Sequence, residues 1–417
     1  MLYSQAINYL NSLSNYEQRK GSPVIRLKKI KQFLQEVDNP QKKFLSVHIA
    51  GTNAKGTIGN FVYTILKEGG HKVGFFSSPH LISIRERLRG SWFNCPEGLF
   101  KDIIPRSDFA SLIEKITLTE KSKRNKLSFF ETLTAIAFLC FAQQKAEIAV
   151  IETGMGGRWD ATNVVNPLIC AITSIGFDHS ETLGKSLSEI AAEKAGIIKK
   201  NSCVISAPQK QEVGKVLKQK CRKENAELFE ISQQSEFCSE NIVLARKILE
   251  RLKPAFPVSQ SDIKQGLKKA YWPARLEKIS ITRGHKTYLI LLDGGHNVAA
   301  MRFLRKAIEK QFALNEIILI FSACRDKHIE EMSRIIFPLC KKVIFTQFKN
   351  QRCETLRRLR ERTGYEGKGT VGIKEALAFA QKFASGNNLI LITGSLYLVG
   401  EAFQATGSKP QVASRKD

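Results

Sequence analysis

The chain has 417 residues, long enough for two or three domains and a large core. Its content of 43% hydrophobic and 25% charged residues is ordinary globular usage, which excludes a disordered chain, and no apolar run reaches the length of a membrane span. Lys plus Arg number 65 against 39 Asp plus Glu, a net charge of +26; this favours anionic partners such as phosphates, polycarboxylates or nucleic acid, although a dispersed, lysine-rich surface with no specific partner accounts for it equally well.

Residues 1–13 lack a basic segment followed by a signal-peptide core, so a protein that is not secreted is expected. Strands and helices then alternate. Leu45–Ala50 is an apolar strand running into a glycine-containing turn, and Gly56–Lys67 is a helix. Lys72–Ser77 is a short strand, Glu131–Gln144 a helix, and Glu147–Ile151 and Leu168–Ile175 are strands of the buried type. Leu187–Lys199 returns to the helical period. Tyr271-Trp272-Pro273 interrupts the pattern, which places a domain boundary near residue 272. Beyond it come strand Thr287–Leu292, helix Val298–Gln311, strand Glu316–Phe321, helix Lys327–Pro338, strand Val343–Thr346, helix Ile373–Ala384 and strand Leu389–Ile392. The expected fold is α/β: a mainly parallel sheet in an N-terminal domain, 1–272, and a smaller Rossmann-like α/β domain, 273–417. The nine cysteines form no CxxC and read as reduced thiols of a cytoplasmic protein, not as a disulfide framework or zinc site.

The first chemical motif is Gly51-Thr52-Asn53-Ala54-Lys55-Gly56-Thr57. It follows a strand and opens a helix, the setting of a phosphate-binding P-loop. Backbone N–H groups at a helix N-terminus carry partial positive charge and cradle phosphate oxygens. Lys55 adds a full charge for the outer phosphates, and the Thr57 hydroxyl can support the nucleotide or its metal. The alternative is a glycine-containing turn before an ordinary helix. Ser78, Glu152 and His179 also stand at or just past the carboxyl ends of predicted strands, where ligands of open α/β sheets bind.

Further motifs follow in order. They are Ser77-Ser78-Pro79-His80-Leu81 with Arg85-Glu86-Arg87, then Glu152-Thr153-Gly154-Met155-Gly156-Gly157-Arg158, Asp160-Ala161-Thr162-Asn163 and Asp178-His179. After them stand Glu193-Lys194-Ala195-Gly196-Ile197, Trp272-Pro273-Ala274-Arg275, Asp293-Gly294-Gly295-His296-Asn297 and the run Thr393–Glu401. Over nearly its whole length the chain resembles the folylpolyglutamate synthase/dihydrofolate synthase family, a branch of the Mur ligase superfamily.

The resemblance implies a reaction in which ATP phosphorylates a substrate carboxylate and the amine of L-glutamate attacks the acyl phosphate, releasing ADP and phosphate. The acceptor would be dihydropteroate, a reduced folate, or both. By the same resemblance, Gly51–Thr57, Asn241, Arg275 and Asp293 bind ATP, with Lys55 acting in catalysis, and Ser78, Glu152 and His179 ligate Mg2+. A hydroxyl and a carboxylate suit so hard a cation, and imidazole is the unusual member. Lys194 matches a carbamylated lysine, and His296 would orient glutamate or phosphate. Phe129-Phe130-Glu131 and Trp159-Asp160-Ala161 match segments that hold dihydropteroate, as more weakly does the region Pro23–Ile25. The residues alone leave other readings open. Glu152 can be a solvated strand end, His179 a capping residue, Lys194 a surface lysine, His296-Asn297 a helix cap, and the two phenylalanines plain core.

The chain departs from the family at Ala54, where glycine is usual; a Cβ there crowds the phosphates or strains the backbone if φ must be positive. Cys324–His328 keeps only the Asp326-Lys327 core of its motif, and Gln347–Arg352 lacks the usual proline-rich pattern. A monomer without nucleic-acid or membrane partners is expected. A Mur-type ligase of cell-wall synthesis is the alternative within the same chemistry, and the Ser78–Leu81 segment argues against it. A basic nucleic-acid-binding protein is the alternative from another class; no helix-turn-helix, RNA-recognition or zinc pattern supports it.

Overall fold

The computed structural model describes residues 1–15, 27–120, 126–232, 237–283, 285–312, 317–384 and 388–407. Pro23–Ile25 lies outside them. The chain divides into two compact units, one spanning Met1–Tyr271 and one that begins at Trp272. Among the described residues no helix is long and apolar enough to cross a membrane.

The first unit is built on a seven-stranded sheet. Its strands are β1 (Leu45–Ala50), β2 (Val73–Phe76), β3 (Leu88–Gly90), β4 (Ile148–Glu152), β5 (Ile169–Ile172), β6 (Cys203–Ser206) and β7 (Glu227–Glu230), in the order β3-β2-β4-β1-β5-β6-β7. All pairs are parallel except β2–β3. Apart from Leu45 at the start of β1, the central strands are buried, because helices cover both faces and leave no solvated side for polar residues to occupy. One face packs into the core that holds Ile151, Phe138 and Phe109, under the helices Phe129–Gln143 and Arg106–Glu120. The other packs into a core of Ile172, Ile190 and Leu217, under Leu187–Lys194 and Gln211–Glu224.

The second unit carries a six-stranded sheet. Its strands β8 (Glu277–Arg283), β9 (Lys286–Leu292), β10 (Ile317–Phe321), β11 (Cys340–Phe345), β12 (Lys368–Gly369) and β13 (Leu389–Thr393) run in the order β12-β11-β10-β13-β9-β8. Only the hairpin β8–β9 is antiparallel. Both units are therefore mainly parallel α/β, as the alternation of elements predicts.

Two predicted helices end early. Leu187–Lys199 stops at Lys194 and continues as the 3-10 turn Ala195–Ile197. The Glu193 carbonyl accepts from Arg158 N at 2.7 Å, and Gly196 lies so close that a Cβ would stand 2.4 Å from Arg158 Cα. The predicted Lys327–Pro338 is helical over Ile329–Ile336 and tightens into a 3-10 turn at Phe337–Leu339, where Pro338 has no N–H to continue the ladder. The outer strands β3, β6, β7, β8 and β12 went unpredicted.

Candidate active site

The sheet order β2-β4-β1-β5 sets four chain exits side by side on the carboxyl edge of the first unit. Ser78 follows β2, Glu152 ends β4, the Gly51–Lys55 loop follows β1, and the segment leading to His179 follows β5. This is the edge at which open α/β sheets bind ligands.

The loop after β1 is bound to the segment after β5. Thr52 Oγ1 donates to Gly176 O and accepts from Gly176 N, each at 3.0 Å. Thr52 N donates to Ser174 O at 3.0 Å, and Thr173 Oγ1 donates to Asn53 O at 2.6 Å. Gly51, at φ +155°, has no room for a side chain: a Cβ would stand 1.8 Å from Thr173 Oγ1. Ala54 adopts φ +64° and precedes the helix Lys55–Glu68. The left-handed conformation that glycine takes freely is thus kept here by a residue with a Cβ. The first N–H groups of that helix, at Lys55, Gly56 and Thr57, precede its intrahelical ladder and point toward the same edge.

Charged side chains meet beside this loop. Lys55 Nζ lies 3.8 Å from Glu152 Oε1, and Ser78 N donates to Glu152 Oε2 at 3.2 Å. Lys194 is buried and donates from Nζ to the Gly51 carbonyl at 2.7 Å. Burial pushes its pKa down to about 7, the charge of Lys55 works the same way, and Asp178 and Asp160 oppose them. His179 stands at φ +52° before the short helix Ser180–Leu183, with Nε2 3.9 Å from Asp178 Oδ1. Asn241 is buried in the helix Phe237–Leu252, which packs on the helix Lys55–Glu68 and on β5 and β6.

The segments expected to hold a pterin divide by role. Phe130 is partly exposed and packs on Phe76, ring centroids 5.8 Å apart, and on Gly154, where a Cβ would come 2.5 Å from its ring. Trp159 is 44% exposed. Phe129 is core, with the Arg87 guanidinium 5.5 Å from its ring centroid. Glu131 caps its own helix, accepting from Ser128 N at 2.9 Å and Ser128 Oγ at 2.7 Å. Asp160 is buried and accepts from Met155 N at 2.9 Å, Thr162 N at 3.0 Å and Thr162 Oγ1. Ala161 is buried beside it.

Sequence reasoning did not single out His48 or Thr173, and it named Glu86 and Arg87 only within a motif, without their part in supporting this edge. His48, inside β1, sits 2.8 Å by Nε2 from Thr162 Oγ1, and burial holds its pKa down at about 3, so the ring is neutral and links β1 to the loop after β4. Glu86 accepts from Leu81 N at 2.8 Å, Ile82 N at 3.2 Å and Ser83 N at 2.7 Å, which folds the loop after Ser78. Arg87 Nε donates to His80 Nδ1 at 3.0 Å. The spacing Ser83-x-x-Glu86 is a capping-box signature that sequence alone could reveal. Thr173 carries no such signal, because its partners lie 120 residues away.

The second unit holds the remaining predicted residues. Asp293, just past β9, is buried; it accepts from Gly295 N at 2.8 Å and Leu276 N at 3.1 Å. Burial pushes its pKa up, against the opposing charge of Arg275. Arg275 itself is exposed. His296 Nδ1 lies 3.0 Å from Gly294 O, and Asn297 caps the helix Val298–Gln311 by accepting from Ala300 N at 2.9 Å. Among the described residues, no three His, Cys, Asp or Glu side chains gather as a metal cluster. It is the backbone N–H of Ser78 that meets Glu152; the Glu152 carboxylate is an oxygen donor of the kind that a hard divalent cation takes.

The two α/β units correspond in sequence to two Mur ligase domains. Residues 101–253 match the Mur ligase middle domain, and residues 274–396 match the Mur ligase glutamate ligase domain. The dihydrofolate synthase/folylpolyglutamate synthase of Bacillus subtilis is 30% identical over 412 residues, covering 90% of this chain and 93% of the relative. The folylpolyglutamate synthase of Lacticaseibacillus casei is 27% identical over 447 residues, covering 97% and 98%. The structure of Mycobacterium tuberculosis folylpolyglutamate synthase complexed with ADP and AMPPCP superposes with a TM-score of 0.85 at 25% identity, covering 98% of this chain and 99% of that one. The chain belongs to the folylpolyglutamate synthase/dihydrofolate synthase family.

Proposed function

We propose that this protein is an ADP-forming ligase that joins L-glutamate to dihydropteroate, to reduced folates, or to both, through an acyl phosphate made with ATP. One observation carries the reading: in a chain of this family, a lysine-bearing phosphate loop, a buried carboxylate and a second buried lysine converge on adjacent strand ends. Two anions, a γ-phosphate and a carboxylate, must be brought together, and positive charge has to offset their repulsion. Lys55 and the N–H groups of Lys55–Thr57 supply it on the nucleotide side.

Ser78, Glu152 and His179 would hold Mg2+, which when bound screens phosphate charge. Glu152 also keeps Lys55 in place. Burial shifts Lys194 toward the neutral amine that carbamylation by CO2 requires. Carbamylation would turn that amine into a carboxylate beside the phosphate loop. Phe130 and Trp159 offer the aromatic surface for the pterin, while Asp160 and Glu131 shape the backbone around it. Arg275 would meet ATP phosphates, Asn241 the adenine side, and His296 glutamate or phosphate. A cytoplasmic monomer with no nucleic-acid or membrane partner completes the reading.

The test offers dihydropteroate and tetrahydrofolate separately, each with ATP, Mg2+ and L-glutamate, and follows ADP release and product mass. A glutamylated product from either acceptor is expected. Absence of glutamate-dependent ADP release with both would sink the proposal.

A further inference from the structure

The turn that carries Arg275 is unusually constrained. Ala274 and Leu276, on either side of it, both hold left-handed backbone, at φ +59° and +49°. Neither is glycine. In that region Cβ presses on the following carbonyl, so such residues persist only where the surroundings over-determine them.

The surroundings here are two carboxylates and one amide. Glu277 Oε2 accepts the Ala274 N–H at 2.8 Å. Asp293 Oδ2 accepts the Leu276 N–H at 3.1 Å. Gly294 N donates to the Ala274 carbonyl at 2.8 Å. Each left-handed residue therefore has its N–H on a carboxylate oxygen, and Arg275, exposed between them, bends its Nη1 back to donate to the Ala274 carbonyl at 3.4 Å. The carboxylates are themselves fixed. Glu277 opens β8 opposite Leu292 of β9, and the other oxygen of Asp293 accepts from Gly295 N at 2.8 Å. Gly294 leaves the Arg275 side chain its path, since a Cβ there would stand 2.9 Å from Nη1.

We propose that Glu277 is a positioning residue: with Asp293 it locks Ala274 and Leu276 in the left-handed region and thereby sets the direction in which the Arg275 side chain leaves the backbone. The proposal rests on the reading that Arg275 meets ATP phosphates. A guanidinium on a long side chain binds phosphate well only if its starting direction is set, and the brace sets that direction before the ligand arrives.

Three variants test it: Glu277→Ala, Glu277→Gln, and Glu277→Ala combined with Ala274→Gly. Nucleotide Kd by calorimetry is read beside KM for ATP, KM for glutamate and kcat. Glu277→Ala should raise Kd and KM for ATP about tenfold, the worth of a hydrogen bond to a charged acceptor, with KM for glutamate and kcat within about twofold. Glu277→Gln keeps an oxygen acceptor and should stay near wild type. Glycine takes positive φ freely, so the double variant should regain part of the loss. Hydrogen exchange of the Ala274 and Leu276 amides should quicken in Glu277→Ala and not in Glu277→Gln. Equal losses in the Ala and Gln variants with unchanged exchange would overturn the proposal, because the charge itself would then be acting on the ligand. So would faster exchange with unchanged ATP affinity. A wild-type chain that binds ATP and ligates nothing would sink the proposed function and leave the affinity arm of this test standing.

Discussion

The two units have the same kind of sheet, and both turn carboxylates at its edge to backbone N–H groups, but the first also brings the ammonium groups of Lys55 and Lys194 to that edge. In the first, charged side chains face one another: Lys55 stands by Glu152, and Lys194 reaches the Gly51 carbonyl, where burial first and the charge of Lys55 second loosen its proton. In the second, the acidic side chains turn to backbone N–H groups. Asp293 holds Leu276 and Gly295, Glu277 holds Ala274, and the amide of Asn297 caps a helix. The first edge stores charge as well as shape, and the second stores shape.

The comparison breaks most readily at Lys55. Lys55→Ala should lower ADP release by about 10²–10³-fold, the scale of losing one preorganised electrostatic contact, while the thermal midpoint moves by no more than about 3 °C. Near-normal turnover would remove the phosphate-loop assignment. Glu152→Gln should cost about tenfold or more in activity at fixed Mg2+ and shift the Mg2+ titration to higher concentration. An unchanged titration would leave Glu152 as a partner of Lys55 alone.

Lys194 sharpens the contrast through pH. Its pKa lies near 7 in the fold against an ordinary 10.5, so the fold favours the neutral amine. Its contribution to stability is complete above about pH 10.5 and is lost as pH falls toward 7. Carbamylation needs the same neutral form. Activity should therefore fall below about pH 7, drop when CO2 is stripped, and recover with bicarbonate. An unmodified Lys194 by mild mass analysis of bicarbonate-treated enzyme would count against it. The smallest effect belongs to Ala54→Gly. Relief of about 1 kcal/mol of left-handed strain is offset by the greater freedom of glycine in the unfolded chain, so stability should change by less than about 1 kcal/mol. The KM for ATP should move by less than about twofold, because the backbone already has the conformation that glycine would take. A tenfold gain in affinity would mean that the Ala54 methyl group crowds the phosphates.

Local patterns carried much of the molecule. Strand β1, the helix after it, and the helix Val298–Gln311 lie within a residue or so of where apolar periodicity puts them. Their signals are confined to windows of a few turns. The helix Gln211–Glu224 and the edge strands β7 and β12 were not legible: their residues are largely polar, and packing against neighbours decides them. In the site, the phosphate loop and Glu152 stand out in sequence, because glycine, lysine and a strand-terminal carboxylate are chemically distinctive wherever they occur.

From sequence alone came the α/β class, the phosphate loop and the resemblance to the glutamate ligases, since each is written in short-range periodicity or in residues whose chemistry does not depend on their neighbours. The tertiary structure decided the rest. It placed β4 between β2 and β1, which seats Ser78 and Glu152 together beside Lys55. It buried Lys194 under Gly51, across 143 residues of chain, and so pushed the pKa of an ordinary lysine down to about 7. It also turned Asp160 and Asp293 toward backbone N–H groups. Burial and proximity set the free energy of a charge, and both arise only when distant segments pack.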